Sequence, residues 1–198
     1  MLRLKLFLIL TLLSACSVLP TPPSLQSYLL PSYTDTTQNP PYQTIKASLR
    51  INQPYTSHFL STTRIVAQSQ GNELAVYKGA RWADPTPILF RNRVIQEFRT
   101  DGRIKALSSD DDHLQADYEL NGDLLAFQGV SHSEGNKVLI RFYAKLTRTS
   151  DKSIIASQTF EVSQAINGRN IDGVIKAFGL ANDRLNAQLL TWAIQNMH

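Results

Sequence analysis

The chain has 198 residues, of which 42% are hydrophobic and 18% are charged, and its formal net charge at neutral pH is +4. This composition excludes a disordered chain, and the length suits a single domain that buries about two thirds of the surface of its unfolded chain. Loss of Arg3 and Lys5 with a signal peptide would lower the 20 basic side chains to 18 against 16 acidic ones, or about +2, which is too small a charge to predict a nucleic-acid partner.

The N-terminus contains the parts of a bacterial lipoprotein signal. Arg3 and Lys5 provide positive charge, residues 4–12 form a mainly apolar run, and Leu13-Ser14-Ala15-Cys16 fits the lipobox pattern of Leu, a small polar residue, a small residue and Cys. The thiol of a lipobox cysteine receives a diacylglyceryl group before the preceding peptide bond is cut. We therefore expect a signal peptide at 1–15 and a mature chain that begins with a diacylated and N-acylated Cys16. With that thiol modified, no disulfide can form, because the chain has a single cysteine.

Two other interpretations of this N-terminus stay open: an ordinary secretory signal with a cysteine nearby, and a signal anchor retained in the membrane. A spanning helix needs about 20 apolar residues, and the apolar run ends before Pro20, which disfavours the anchor. Each buried methylene adds about 0.8 kcal/mol, so several acyl chains on Cys16 would hold the protein durably at a membrane. The residue after the lipobox cysteine is Ser17. Asp at this position would favour retention at the inner membrane, so Ser17 indicates the periplasmic face of the outer membrane.

The region after the lipid site predicts a tether followed by one domain. Prolines at 20, 22 and 23 favour an extended chain, so residues 16–25 are expected to form a short, stiff, lipidated tether. Residues 26–198 are expected to form a single domain. Its first predicted strands are 26–30 and 45–51, the second of which alternates apolar and polar residues.

The middle of the chain predicts a β-hairpin and then a helix. Residues 63–68 and 73–77 are typical of strands and are joined by Gln70-Gly71-Asn72, a plausible hairpin turn. Asp84 followed by Pro85 is typical of a helix N-cap and first helical position, and Gly102 suits a C-cap. The helix between them has an apolar stripe that must lie on a sheet, formed by Ile88, Leu89, Val94, Ile95 and Phe98.

Three later segments give the clearest periodicity in the sequence. Apolar residues occupy nearly every second position from Leu114 to Ala126, from Val138 to Leu146 and from Ile154 to Val162. Short polar links join these segments, which predicts an antiparallel meander with one wet and one covered face. The cover would come from the first helix and from a last helix over about 171–195. We therefore predict an α+β fold: a two-layer sandwich of a mostly antiparallel sheet with two main helices packed on one face.

The sequence lacks the motifs of a catalytic or metal site. The run Asp110-Asp111-Asp112 lacks the glycine and distal glutamate of a calcium loop, so a solvated turn is the favoured interpretation. Ser131-His132-Ser133-Glu134 contains the residue types of a hydrolase, but neighbours in a hairpin loop point apart. We expect no enzyme activity, no metal and no cofactor apart from the lipid on Cys16. The four histidines are scattered and have no second His or Cys at metal-binding spacing: His58, His113, His132 and His198.

The most distinctive local string is Arg81-Trp82-Ala83-Asp84-Pro85, which we name the tryptophan string. A structural interpretation makes Trp82 an aromatic plug between the hairpin and the helix, with Asp84 capping the helix. A functional interpretation places Trp82 or Arg81 on a contact surface, where both residue types are enriched as anchors. The sequence leaves both interpretations open.

The order of these features resembles the ABC-type transport auxiliary lipoprotein family. The likeness extends over about residues 26–195, and its most specific piece is the tryptophan string with the amphipathic helix that follows. The other matching pieces are the lipobox, Tyr28-Leu29-Leu30, the segment from Pro54 to Leu60, Thr63-Arg64-Ile65-Val66 and Leu74-Ala75-Val76-Tyr77.

This resemblance implies a non-catalytic subunit of a lipid-trafficking system that also contains a mammalian-cell-entry domain protein, a permease and an ATPase. It implies an outer-membrane dock for the periplasmic tunnel protein, and ring-shaped homo-oligomers occur among similar proteins. Two alternatives from other classes stay open. A periplasmic lipid- or solute-binding lipoprotein would need an unfilled apolar cavity, and an outer-membrane assembly factor would need a barrel protein as its partner.

Overall fold

A computed structural model of the protein describes residues 24–33, 44–69, 71–131, 133, 135–168 and 170–197. The expected signal peptide, Cys16 and most of the expected tether lie outside these residues. Within the described residues, nine strands form one sheet and two α-helices pack on it. The strands are β1 (Gln26–Tyr28), β2 (Ile45–Ile51), β3 (Tyr55–Thr56), β4 (Arg64–Gln68), β5 (Leu74–Trp82), β6 (Ile104–Ser109), β7 (Tyr118–Val130), β8 (Lys137–Arg148) and β9 (Ser153–Ala165), and the helices are α1 (Thr86–Asp101) and α2 (Ile171–Asn196).

The sheet is organised around β7, which has neighbours on both sides along its length. On one side it pairs antiparallel with β8, and β8 pairs antiparallel with β9. On the other side it pairs in turn with β2, β3 and β4, and all three of these neighbours run parallel to it. Strand β5 pairs antiparallel with β4, β1 pairs parallel with β5, and β6 pairs parallel with β2.

The predicted antiparallel meander is therefore confirmed, but the prediction of a mostly antiparallel sheet is wrong. The sheet is mixed, because five of the strand pairings are parallel. Alternating apolar and polar residues report that one face of a strand is buried. Such a pattern is typical of antiparallel sheets, because parallel sheets are mostly covered on both faces, so it gave no sign of the parallel half of this sheet.

Both helices cover the same face of the sheet, as predicted. The side chains of β8 that point to this face are buried, whereas the alternate ones are partly exposed on the open face. Phe90 of α1 packs against Phe142 of β8 with ring centroids 5.0 Å apart, and Trp192 of α2 packs against Phe160 of β9 at 5.6 Å. The α+β, two-layer arrangement is thus confirmed, and its hydrophobic core lies between the sheet and the two helices.

Three of the four helix ends agree with their predicted positions, and the start of α1 does not. Gly102 is the C-cap of α1 with φ of 75°, and α2 follows the predicted range closely. The predicted start of α1 is wrong: Pro85 is the N-cap, and no side chain caps this end, so Asp84 has no capping role. Pro87 lies within the first two helical positions, where a missing N–H costs no helical hydrogen bond. The N-cap therefore lies one residue later than predicted.

Two strand predictions also need correction. Strand β7 begins at Tyr118, and the expected first strand residue, Leu114, lies before it and is exposed. Strand β6 was not predicted. Its residues Ile104–Ser109 lack a clean alternation, because Lys105 and Ala106 are both exposed and Ser108 is buried. Pairing with β2 therefore determines this strand more than its own pattern does.

Candidate functional site

The tryptophan string contains a buried aromatic cluster. Trp82 has no exposed surface, and its ring packs edge-on against Phe127 of β7 at 6.0 Å and against Phe178 of α2 at 5.2 Å. Phe127 and Phe178 stack on each other at 4.8 Å. The structure thus favours the structural interpretation of Trp82, which joins the hairpin, the central strand and the last helix.

The neighbours of Trp82 in the string face solvent. Arg81 is exposed on the open face, where its Nε donates a 2.9 Å hydrogen bond to the Ser27 hydroxyl of β1. Arg64 of β4 is its direct cross-strand neighbour and is also exposed. Asp84 is also exposed. The contact-surface interpretation therefore remains available to Arg81 and Asp84, but the indole of Trp82 takes no part in it.

The string also fastens the N-terminal part of the domain. Strand β1 lies parallel to the end of β5, with Tyr28 directly opposite Trp82. Beyond the paired residues, the Ala83 N–H donates to the Tyr28 carbonyl at 2.8 Å, and the Trp82 N–H donates to the Thr63 carbonyl at 2.7 Å. The backbone of the string is therefore held by both β1 and the loop before β4.

After β1 the chain crosses helix α2. A Cβ at Gly179 would lie 2.8 Å from the Cγ of Pro31 and 2.9 Å from the ring of Tyr33, so this crossing requires a residue without a side chain in the helix. The N–H of Tyr33 donates to Asp183 at 2.6 Å, and Asp183 also forms a 2.6 Å ion pair with Arg93 of α1. We name residues 26–33 the strap.

The ion pair under the strap is buried. The side chain of Arg93 is 7% exposed and that of Asp183 is 12% exposed. A buried pair of this kind is costly to break, because removal of one partner leaves an uncompensated charge. The strap is thus bound at one end by β5 and at the other by a carboxylate that also joins the two helices. Cys16 precedes Gln26 by ten residues, so an acyl group there would be at most about 35 Å of extended chain from this attachment.

The acidic run beyond β6 has a structural partner that the sequence did not reveal. The nearly buried guanidinium of Arg91 in α1 pairs with Asp110 at 2.5 Å and with Asp111 at 2.7 Å. Burial alone lowers the pKa of Arg91, but the hydrogen bonds that its guanidinium donates to Asp111 and Asp110 outweigh burial and raise that pKa above its usual value. Asp111 and Asp112 are exposed, so the expected solvated turn is present, and it is also a clamp on α1. The sequence signal was a pair of arginines, at 91 and 93, that lie beside the apolar stripe of the helix.

A polar recess of about 390 Å³ lies at the end of the sheet where β2 meets β7. Asp117 there accepts hydrogen bonds from the backbone N–H of Ser48 at 2.8 Å and from its hydroxyl at 2.7 Å. These two bonds, the backbone one first, hold the pKa of Asp117 below its usual value. Arg50 forms an ion pair with Glu119 in the same recess. These charged groups join β2 to β7 through contacts within the chain.

The remaining sequence candidates are dispersed. His58 and His113 are exposed in separate loops, whereas His132, Glu134 and His198 lie outside the described residues. In the part of the chain that the structure describes, no group of three or more His, Cys, Asp or Glu side chains could hold a metal ion. None of the helices in that part is long and apolar enough to span a membrane.

Comparison with protein-family models identifies one family. A family model described as the ABC-type transport auxiliary lipoprotein component matches residues 28–189. A curated but uncharacterised protein of Bradyrhizobium diazoefficiens is 29% identical over 155 residues, or 78% of this chain. The match covers 41% of that relative, so the chain spans about two fifths of its length.

Solved structures support the same assignment at the level of the fold. A protein of Xanthomonas campestris is 25% identical with a TM-score of 0.75, and the alignment covers 89% of this chain and 95% of that one. A hypothetical protein of Chlamydia trachomatis, at 10% identity, has a TM-score of 0.51 over 76% of this chain and 97% of its own, which shows a shared fold alone. With its family model matched over most of the domain, the chain belongs to the ABC-type transport auxiliary lipoprotein family.

Proposed function

We propose that the protein is an outer-membrane lipoprotein that docks the periplasmic tunnel protein of a mammalian-cell-entry-type lipid transporter. Its family is a component of ABC-type transport systems, which supports a role beside a permease and an ATPase rather than an enzymatic one. In this proposal Cys16 carries diacylglyceryl and N-acyl groups, the lipid lies in the periplasmic leaflet of the outer membrane, and the domain aids the movement of phospholipids or other hydrophobic molecules.

The single observation that carries the docking role is the attachment of the strap. The ten residues from Cys16 to Leu25 lead directly into a strand that is paired with β5 and followed by a segment bound to both helices. A load on the lipid would be transmitted through Tyr28 and Ala83 to the buried Trp82. A docking subunit needs such a rigid connection between its anchor and its domain.

The filled core argues against the carrier alternative. The space between sheet and helices is occupied by large side chains with almost no exposed surface, including Trp82, Phe90, Phe98, Phe127 and Phe178. A lipid in that space would have to displace these rings, each of which buries a large apolar surface. The tunnel-docking role needs only the surface of the domain, so the packed interior fits it better.

Two measurements on the full-length protein test this proposal. We expect metabolic palmitate labelling of the wild type and loss of the label in Cys16→Ser. We also expect the wild type, purified from detergent-solubilised envelopes, to recover a mammalian-cell-entry domain protein. Recovery of lipid alone would favour the carrier, and recovery of an outer-membrane barrel would favour the assembly factor. A protein without label that recovers no envelope component would contradict the proposal.

A further inference from the structure

Strand β9 leaves a long edge of the sheet open. It has 13 residues, from Ser153 to Ala165, and its one strand partner is β8 within the described part of the chain. The pairing with β8 is regular from Ala156 to Ala165. An edge of this length presents a row of backbone N–H and C=O groups that a further strand can bind.

The hydrogen-bond pattern identifies which of these groups point outward. The Ile166 N–H donates to the carbonyl of Asn136, its opposite residue, at 2.9 Å. Because bonded and non-bonded pairs alternate in an antiparallel ladder, the even-numbered residues of β9 bond to β8 and the odd-numbered ones face outward. The Ser163 carbonyl agrees with this assignment, since it accepts a 2.9 Å hydrogen bond from Arg184 of α2. The outward groups between the bulge and Arg184 belong to Ser157, Thr159 and Glu161.

This edge lacks the features that usually prevent strand addition. Natural edge strands are protected by lysines, prolines, bulges or a covering segment. Residues 153–165 contain neither Lys nor Pro, and their single charged residue, Glu161, is paired with Arg141 at 2.5 Å. A bulge near Ile155 affects the beginning of the strand, and Arg184 covers a carbonyl near its end. The section between them is unprotected.

A groove lies beside this edge on the helical face. It has a volume of about 490 Å³ and is bounded by the edge-on pair Phe160 and Trp192. Its walls are completed by uncharged residues of β9 and α2, all of them exposed: Gln158, Gln188, Thr191 and Gln195. A strand added to β9 would place every second side chain over this groove. The groove has no charged lining residue, and the one charge of the edge, on Glu161, is paired with Arg141, which matches an uncharged, partly apolar segment.

We propose that β9 binds an extended, uncharged segment of the tunnel protein, which adds to the sheet as a further strand with its alternate side chains in the groove. This inference rests on the docking function proposed above and names the contact surface. A second copy of this chain is a poorer occupant. Its edges β1 and β6 have only three and six residues, and if its own β9 paired here, the side chains that would face the groove, such as Phe160 and Val162, are already buried in the core of that copy.

Substitutions at Thr159 test the backbone contact. Thr159→Pro removes an outward N–H, so it leaves the pairing with β8 intact while blocking an added strand. Thr159→Val keeps the backbone and the branched shape at the same position and serves as the matched control. In purifications of the full-length lipoprotein from solubilised envelopes, we expect Thr159→Pro to recover about tenfold less of the mammalian-cell-entry domain protein than wild type, and Thr159→Val to recover as much.

A second pair of variants tests the same contact without a proline, in case Thr159→Pro loses the partner only because it misfolds. Thr159→Lys places a charge on the edge strand, whereas Tyr143→Lys places one directly opposite on β8, which has no free edge. If the proline variant has a lower unfolding midpoint than wild type, this pair decides the question: the edge variant should lose the partner and the β8 variant should retain it.

The outcomes separate the two proposals. Recovery of the partner by wild type and equally by Thr159→Pro or Thr159→Lys would overturn the β9 contact and leave the docking function standing. Failure of wild type to recover the partner would overturn the docking function and the contact with it. A fall in the sedimentation mass of the purified protein in Thr159→Pro would assign the edge to a second copy and would also overturn the proposal.

Discussion

The two halves of the sheet, on either side of β7, differ in the way that they end. The half formed by β1, β4 and β5 ends in a strand of three residues whose side chains and flanking backbone are fastened to the rest of the domain. The half formed by β8 and β9 ends in β9, a strand of 13 residues that has no outer strand partner within the described residues. Under the proposals above, the first end would receive the lipid anchor and the second would bind the partner. We therefore name the first half the attachment half and the second the recognition half.

The largest effect expected is the loss of the aromatic cluster in the attachment half. Trp82→Ala should lower the free energy of unfolding by about 3–5 kcal/mol, because it leaves a cavity between Phe127 and Phe178. Urea denaturation followed by the fluorescence of Trp192, the second tryptophan of the chain, measures this change. Tyr55→Ala, at a residue that is 77% exposed, is the control and should change stability by less than about 0.5 kcal/mol. A loss of unfolding free energy no larger than that of the control would show that the packing of Trp82 against Phe127 and Phe178 does not stabilise the domain.

The ion pair under the strap should be the next most sensitive feature. Asp183→Ala leaves Arg93 buried without its partner and removes the acceptor of the Tyr33 N–H, so we expect a loss of about 3 kcal/mol. Limited proteolysis should then cut between residues 29 and 33 faster than in the wild type. The recognition half offers a contrast in the exposed pair of Arg141 and Glu161, where Glu161→Gln should cost at most about 1 kcal/mol. Equal losses of unfolding free energy in Asp183→Ala and Glu161→Gln would contradict the distinction between a buried and an exposed ion pair.

Acid should weaken the recess where β2 joins β7. Hydrogen bonds from Ser48 lower the pKa of Asp117, and hydrogen bonds from Ser109 lower that of Asp112, in both cases with the backbone N–H as the larger cause. A lowered native pKa means that the unfolded state binds more protons near the usual aspartate pKa of about 4. The stabilisation is therefore complete above that pH and is lost as the pH falls through the lower native pKa values.

The thermal unfolding midpoint, measured from pH 7 to pH 2.5, tests this expectation. It should be steady in the upper part of the range and should fall below about pH 4. Asp117→Asn cannot ionise, so its midpoint should fall less steeply in acid than that of the wild type. Parallel curves for the two proteins would show that Asp117 contributes nothing to the acid response.

The smallest effect is expected where α2 carries two buried amides. Asn182 and Asn186 have no exposed surface, and none of their side-chain nitrogen and oxygen atoms has a partner among the described residues. Replacing an unsatisfied polar group by an apolar one of similar size can be neutral or stabilising. The double variant Asn182→Leu with Asn186→Leu should therefore change the free energy of unfolding by less than about 1 kcal/mol. A clearly larger loss in urea denaturation would mean that ordered water satisfies these amides.

The sequence predicted strands of both halves, including β1, β2, β4 and β5, but it missed β3, β6 and the parallel pairings, for a physical reason. Strands β8 and β9 and helix α2 are long, so their alternation or helical periodicity extends over many residues, and each neighbour follows directly along the chain. Strands β3 and β6 have two and six residues, and their partners are distant in sequence. Long-range parallel pairing determines these strands, and a single sequence contains no sign of it.

The candidate site shows the same limit. The burial of Trp82 could be proposed from the tryptophan string, but its two aromatic partners lie 45 and 96 residues further along the chain. The sequence likewise did not identify the partners of Arg91 and Arg93. Two arginines on the buried side of a helix do indicate that ion pairs exist, because arginine is rarely buried without a partner. The lack of Lys and Pro in β9 indicates an unprotected edge only after the structure has placed this strand at the end of the sheet.

The central place of β7 has a consequence for biogenesis. Strands β1, β4 and β5 can pair with one another, and β2 can pair with β6, but the two groups share no strand pairing until β7 is available. A nascent chain that ends before Tyr118 therefore cannot assemble the sheet. For the exported lipoprotein proposed above, such a delay would keep the chain unfolded during passage through a membrane, because the first three fifths of the chain cannot form the sheet until the last two fifths are present.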